Sequence, residues 1–152
     1  MVEQEDPLYR REILRLAANA AGAGPLAHAD ASATVHNTAC GDRVTVELAL
    51  EDGRISALGH TTRACVLTQA SAALLAESAP GRGRAELEVL AGSVRTFLAG
   101  GPAPEGYGVF DGLIAHAGRH RCVLLPLEAA LKALETVPHP SPVASDSVVR
   151  PG

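Results

Sequence analysis

Apolar residues alternate with polar ones in the middle of the chain and follow a helical period elsewhere. Between residues 43 and 50 every second side chain is apolar, which predicts a half-buried strand. Asp52-Gly53 favours a hairpin turn, residues 55–61 form the returning strand, and residues 29–37 have some β character. Apolar residues three or four apart predict helices elsewhere. The predicted helices span about 7–19, 65–79, 85–99, 109–117 and 127–137.

This order of elements predicts an α+β fold, with a small antiparallel sheet of about three strands packed against several helices. Asp6-Pro7 has the sequence of a helix start, with Asp as N-cap and Pro in the first turn. Residues 138–152 contain four prolines and no periodicity, so we expect a disordered tail. The predicted domain therefore spans residues 1–137.

Composition and charge exclude several classes of protein. A chain of 152 residues is long enough for one domain with a real core, and only 3% of it is aromatic. The net charge of −4, with no long basic run, predicts no nucleic-acid partner. No window approaches the roughly 18 apolar residues of a membrane helix. The acidic N-terminus is not followed by an apolar signal region, so we expect a cytoplasmic protein.

The chain has three cysteines, Cys40, Cys65 and Cys122, and Asp42 lies two residues after the first of them. An odd number of cysteines leaves one unpaired in any disulfide framework, and a reducing compartment keeps all three free. Three thiolates and one carboxylate are enough to close a tetrahedral zinc shell. A carboxylate in place of a fourth thiolate makes the shell easier to open, which favours sulfur or cluster chemistry over a purely structural site.

The predicted elements place each cysteine at an edge. Cys40 falls in a turn between strands, Cys65 where a strand gives way to a helix, and Cys122 just before the last helix. A helix N-terminus favours the thiolate, so Cys65 and Cys122 would both gain from these positions. The alternative is three unrelated core cysteines, since a free Cys is often simply buried. No C-x-x-C pair is present, so only the fold can bring the cysteines together.

Three motifs occur in order along the chain. They are Asn37-x-x-Cys40-Gly41-Asp42, Cys65 followed by Gln69-Ala70-Ser71, and Arg119-x-Arg121-Cys122. Together they resemble the IscU/SufU (NifU N-terminal-like) family of iron–sulfur cluster assembly proteins, and the resemblance runs from about Leu8 to Leu134. Arg121 stands where the IscU branch usually has histidine, and the segment between the second and third cysteines is long. Both features are similar to the SufU branch, and the resemblance implies a SufE/NifU-like fold.

The resemblance implies that Cys40, Asp42, Cys65 and Cys122 bind Zn²⁺ and that Cys40 accepts sulfur. The protein would then be a zinc-dependent sulfurtransferase that takes persulfide sulfur from a SufS-like cysteine desulfurase and serves downstream iron–sulfur assembly proteins. A second hypothesis is that the protein is an IscU-type scaffold, which assembles a [2Fe–2S] cluster or binds iron on the same ligands. A third is a non-catalytic, zinc-stabilised interaction module.

The chain also departs from the family pattern. Residues 61–64 replace the glycines that usually precede the second cysteine, and their side chains resist positive φ, so we expect a different approach to Cys65. Zn²⁺ with three thiolates and a carboxylate carries a formal charge of about −2. Arg63 and Arg121, each just before a cysteine, are candidates to offset it; the alternative is that both are solvated surface arginines. His120 lies out of register for a ligand, although imidazole commonly binds zinc.

Overall fold

The computed structural model describes residues 10–38 and 41–137, and it has the predicted α+β architecture. A three-stranded antiparallel sheet, ordered β1-β2-β3, is covered on one face by helices. The named elements are α1 (Arg11–Asn19), β1 (Ala31–Asn37), β2 (Asp42–Glu51), β3 (Arg54–Arg63), α2 (Val66–Ser78), α3 (Arg84–Leu98) and α4 (His120–Glu135). Two 3₁₀ helices, Tyr107–Leu113 and Ala117–Arg119, lie between α3 and α4.

The alternating pattern of β2 determines which face of the sheet is buried. Val44, Val46 and Leu48 are fully buried, because side chains two apart on a strand point to the same face. α2 and α4 pack against the sheet and cover these residues. Asp42 has the same parity as the three apolar residues and is also buried, so its carboxylate lies among the helices.

The hairpin between β2 and β3 is the one that the Asp-Gly pair predicted. Asp52 and Gly53 both have positive φ, 54° and 78°, as a tight two-residue turn requires. β3 then continues to Arg63, two residues beyond the predicted end of the strand.

The first helix begins later than predicted. Arg10 has an extended backbone (ψ 161°) and α1 starts at Arg11, so the prediction of a helix that runs unbroken through Arg10 is wrong. The predicted cap, Asp6-Pro7, lies outside the described residues. The helix is held by its buried face, where Ile13 is fully enclosed, and it packs mainly against α2.

The last helix begins earlier than predicted, at His120 and not near residue 127. Pro126 lies inside α4, and its missing N–H leaves the carbonyl of Cys122 without the usual helical donor. Because α4 begins at His120, Cys122 lies in its first turn. At 4% exposure, Cys122 belongs to the core and not to an edge. The predicted helix over 109–117 is also replaced, by the two 3₁₀ helices.

Residues 138–152 lie outside the described part of the chain, so the domain limit at residue 137 and the disordered tail remain predictions. None of the helices that the structure describes combines the length and the apolar character needed to cross a membrane.

Candidate metal centre

Three of the four predicted ligands meet at one end of the sheet. Asp42 is the first residue of β2, Cys65 is the N-cap residue of α2, and Cys122 lies in the first turn of α4. One carboxylate oxygen and the two sulfur atoms all lie within 4.8 Å of one another. Cys40, the fourth predicted ligand, lies outside the described residues.

The chemistry of this donor set fits zinc. Zn–S and Zn–O bonds of about 2.0–2.3 Å in a tetrahedron separate the ligand atoms by about 3.3–3.8 Å. Donor atoms already within 4.8 Å of one another therefore need only small movements to bind one ion. Two thiolates and a carboxylate suit a borderline-soft metal, and thiolates also bind iron–sulfur clusters.

The two thiols of the site share one proton. A hydrogen bond from Cys122 lowers the pKa of Cys65 to about 5; burial opposes this shift, and the hydroxyl and amide of Thr68 and the amide of Leu67 favour it. The pKa of Cys122 is raised, because its proton is held by the Cys65 sulfur and because burial and the charge of Cys65 oppose a second thiolate. One sulfur is thus ready to bind a cation, and metal binding must displace the second proton.

Thr68 is a site residue that the sequence analysis missed. It is fully buried at the third position of α2, and its hydroxyl lies 3.7 Å from the sulfur of Cys65. A side chain at this position faces the N-cap residue, which is why capping boxes use it. The spacing Cys65-x-x-Thr68 at a predicted helix start was the available signal.

Ser71 fixes the distance between the two helices that carry the cysteines. Its buried hydroxyl donates a 2.6 Å hydrogen bond to the carbonyl of Val123, the residue after Cys122. This bond joins α2 to the first turn of α4 and so holds Cys65 and Cys122 in register.

The basic residues beside the cysteines have other partners or face solvent. Arg121 is 47% exposed and pairs with Glu128 at 3.0 Å. Arg63 is exposed at the end of β3, and the hydrogen-bond partners of Arg121 among the described residues are Glu128 and the carbonyl of His36, not Cys65 or Cys122. Charge compensation by Arg63 or Arg121 therefore stays a prediction.

His120 is engaged away from the ligand cluster. Its Nε2 atom donates a 2.7 Å hydrogen bond to the carbonyl of Leu113, which ties the start of α4 to the first 3₁₀ helix. It is not in the ligand group found among the described residues.

The residues just before Cys65 form the end of strand β3, at positions where the family pattern has glycines. Residues 61–63 complete β3, and none of residues 61–64 has positive φ. His60, 5% exposed, anchors this strand to the loop after α1: Nε2 donates to the carbonyl of Ala21 and Nδ1 accepts from the hydroxyl of Thr62, both at 2.9 Å. Burial lowers the pKa of His60, which agrees with a neutral ring in this role.

Comparison with known proteins identifies the family. The profile of the NifU-like N-terminal domain matches residues 8–106 of this chain. The chain belongs to this family. The match confirms the resemblance to the IscU/SufU proteins, although it ends before Cys122.

Solved structures extend the likeness over most of the chain. The crystal structure of a nitrogen-fixing NifU-like protein (N-terminal) from Brucella abortus is 34% identical, covers 88% of this chain and 98% of its own, and has a TM-score of 0.80. A proposed iron–sulfur cluster assembly scaffold protein for the SUF system from Fervidobacterium islandicum AW-1 is 20% identical. It covers 86% of this chain and 99% of its own, with a TM-score of 0.76, and shows the shared fold. Among curated proteins, none matches.

Proposed function

We propose that this protein works in iron–sulfur cluster assembly as a SufU-type, zinc-dependent acceptor of persulfide sulfur from a cysteine desulfurase. The observation that carries the proposal is the gathering of Asp42, Cys65 and Cys122 within 4.8 Å, with one of the two thiols made acidic by the other. The Fervidobacterium relative is described as a scaffold protein for the SUF system, which supports the same process. Free thiols also suit a cytoplasmic, reducing location, which is part of the proposal.

Each residue of the site has a proposed role. Asp42, Cys65, Cys122 and Cys40 would bind the zinc ion, and bound zinc supplies a cysteine that stays deprotonated at neutral pH. Cys65 and Cys122 lie at the starts of α2 and α4, and the hydrogen bond from Ser71 to Val123 joins these two helices. The two cysteines therefore serve as the fixed ligands. Asp42 is the hardest donor of the set and is expected to bind the metal most weakly.

Cys40 is the proposed sulfur acceptor. It precedes Gly41, whose φ of 73° belongs to a turn in which the backbone bends without side-chain strain. The Cys40 thiolate attacks the outer sulfur of the desulfurase persulfide. A sulfur–sulfur bond forms on Cys40 as the donor's sulfur–sulfur bond breaks, and the desulfurase leaves as a thiolate. The exchange is balanced and needs no added oxidant or reductant. The loaded sulfur would then pass to downstream iron–sulfur assembly proteins.

A scaffold function is the second candidate. The same thiolates could hold a [2Fe–2S] cluster as cargo, and the Fervidobacterium relative is described as a scaffold. The two functions predict different metals in the purified protein.

Metal analysis of protein purified without oxygen separates the two candidates. We expect a colourless protein with one zinc ion per chain and no acid-labile sulfide, and Cys65→Ser and Cys122→Ser should each lose the metal. A coloured protein that contains iron and sulfide in equal amounts would support the scaffold and contradict the zinc proposal. Zinc retention without any sulfur transfer from the desulfurase would indicate an interaction module.

A further inference from the structure

The outer face of the sheet carries a row of basic side chains at the end nearest the ligand cluster. His36, Arg43 and Arg63 are register partners on β1, β2 and β3, so they lie side by side on one face. All three are exposed. Asp42 precedes Arg43 on the same strand and points to the opposite, buried face, because successive strand residues alternate. The basic row therefore lies next to the ligand site and on the solvent side of it.

Arg43 and Arg63 form a like-charge pair that no ion pair among the described residues neutralises. Residues directly opposite each other on antiparallel strands have Cβ atoms about 4.5–5.5 Å apart, and like charges there destabilise the sheet. No acidic side chain within residues 10–38 and 41–137 forms an ion pair with either arginine. Glu47, on the same face of β2, is occupied by the backbone amide of Leu26 at 2.8 Å. The pair thus costs stability in the isolated protein.

The rim of the site gains a third guanidinium from α4. Arg121 is 47% exposed. Its Nη2 atom lies 3.5 Å from the carbonyl oxygen of His36 and 3.0 Å from Glu128, so part of its charge is offset within α4. These cations are concentrated at one end of the sheet, in a protein whose net charge is −4. An acidic surface would be repelled by the molecule as a whole and attracted to this end, so the charge distribution orients an approaching acidic protein toward the ligand site.

We propose that Arg43 and Arg63 are the docking surface for an acidic segment of the sulfur-donating desulfurase. This inference rests on the proposed function, since it names where that partner binds. The acidic segment neutralises the arginine pair and brings the donor to the end of the sheet where Asp42 and the two thiols lie. A protein partner fits better than a nucleic acid, because the basic patch is confined to one end of the sheet in an acidic protein and does not extend along the strands.

The test measures binding of the full-length protein to the cysteine desulfurase of the same organism. Association rates are followed from about 50 to 300 mM salt, a range over which surface charges become strongly screened. The variants are Arg43→Gln, Arg63→Gln, the double Gln variant and the double Glu variant. Arg95→Gln, an exposed arginine in the last turn of α3, is the matched control.

We expect the double Gln variant to associate about tenfold more slowly at low salt and to lose most of the salt dependence. The double Glu variant should associate more slowly still, and Arg95→Gln should behave like the parent. The double Gln variant should unfold at the same temperature as the parent or higher, since a like-charge pair is removed. This control shows that any loss of binding does not come from unfolding.

The remaining outcomes overturn the proposal in distinguishable ways. If the parent accepts sulfur and the double Gln variant associates as fast as Arg95→Gln, the docking surface is wrong and the proposed function stands. If the parent neither binds the desulfurase nor accepts sulfur, both are wrong. If the double Gln variant loses binding to heparin or duplex DNA while its desulfurase binding is unchanged, the patch is a general polyanion site and the docking surface is again wrong.

Discussion

Replacing Thr68 with valine should weaken zinc binding while leaving the fold intact. Thr68 is fully buried, and valine has nearly the same shape, so the substitution opens no cavity. What it removes is the hydroxyl, whose hydrogen-bond partner is the sulfur of Cys65 at 3.7 Å. Because that sulfur is the acidic one of the pair, the lost hydrogen bond is one to a charged acceptor.

The expected size follows from the geometry. Hydrogen bonds to charged groups contribute about 1.5–3 kcal/mol, and residues that orient metal ligands typically change metal affinity about 10–100-fold. The 3.7 Å contact involves a sulfur acceptor, so we expect the lower end, about tenfold. The free energy of unfolding of the metal-free protein should also fall, by up to about 1.5 kcal/mol at neutral pH, where Cys65 carries the negative charge, and by less below about pH 5, where the thiol is neutral.

The assay is competition for zinc against a chromophoric chelator, together with the sulfur-to-metal charge-transfer band of the cobalt-substituted protein. Thr68→Val should shift this band, because a hydrogen bond changes the electron-donating strength of the sulfur. Thr68→Ser keeps the hydroxyl and should restore both the band and the affinity, whereas Thr68→Ala controls for lost packing. Parent-like zinc affinity and an unshifted cobalt band in Thr68→Val would refute a role for the hydroxyl.

Three further predictions concern the rest of the fold. Ser71→Ala, which removes the bond to Val123, should lower the free energy of unfolding in urea by about 1–3 kcal/mol, and an unchanged value would contradict the proposed clamp. Tyr107 is fully buried and its hydroxyl has no hydrogen-bond partner in the described part of the chain, so Tyr107→Phe should raise the melting temperature; a lower one would show that the hydroxyl is bonded. Burial lowers the pKa of His60, so the unfolded state binds its proton more tightly. The contribution of His60 to stability is the difference between the parent and His60→Gln. It should be level above about pH 6.5, fall with a slope of at most about 1.4 kcal/mol per pH unit as pH drops from there to the lowered folded pKa, and level off below that pKa. The same pH dependence in both proteins would contradict this.

The strands were predictable because a single physical rule governs them. Val44, Val46 and Leu48 alternate with polar residues, and burial of that one face fixes the register of β2. The parity of Asp42 follows from the same alternation, so its inward position could have been read from the sequence as well. The Asp-Gly turn adds a local signal that does not depend on tertiary contacts.

The helix boundaries were less predictable because tertiary packing overrides local signals there. The last helix was predicted to start near residue 127, beyond Cys122, whereas the buried face of α4 starts earlier and continues through Pro126. That error placed Cys122 outside the core. The convergence of Asp42, Cys65 and Cys122 depends on how the helices pack on the sheet, and only the resemblance to a family indicated it in advance.

The most direct test of the central claim is sulfur transfer from the cysteine desulfurase, followed by mass spectrometry of the intact protein and of its Cys40 peptide. The zinc-loaded parent should gain one sulfur atom on Cys40, and Cys40→Ser should gain none. If Cys40→Ser accepts sulfur as well as the parent does, or if the zinc-stripped protein accepts it as fast as the zinc-loaded one, zinc-dependent acceptance at Cys40 is wrong.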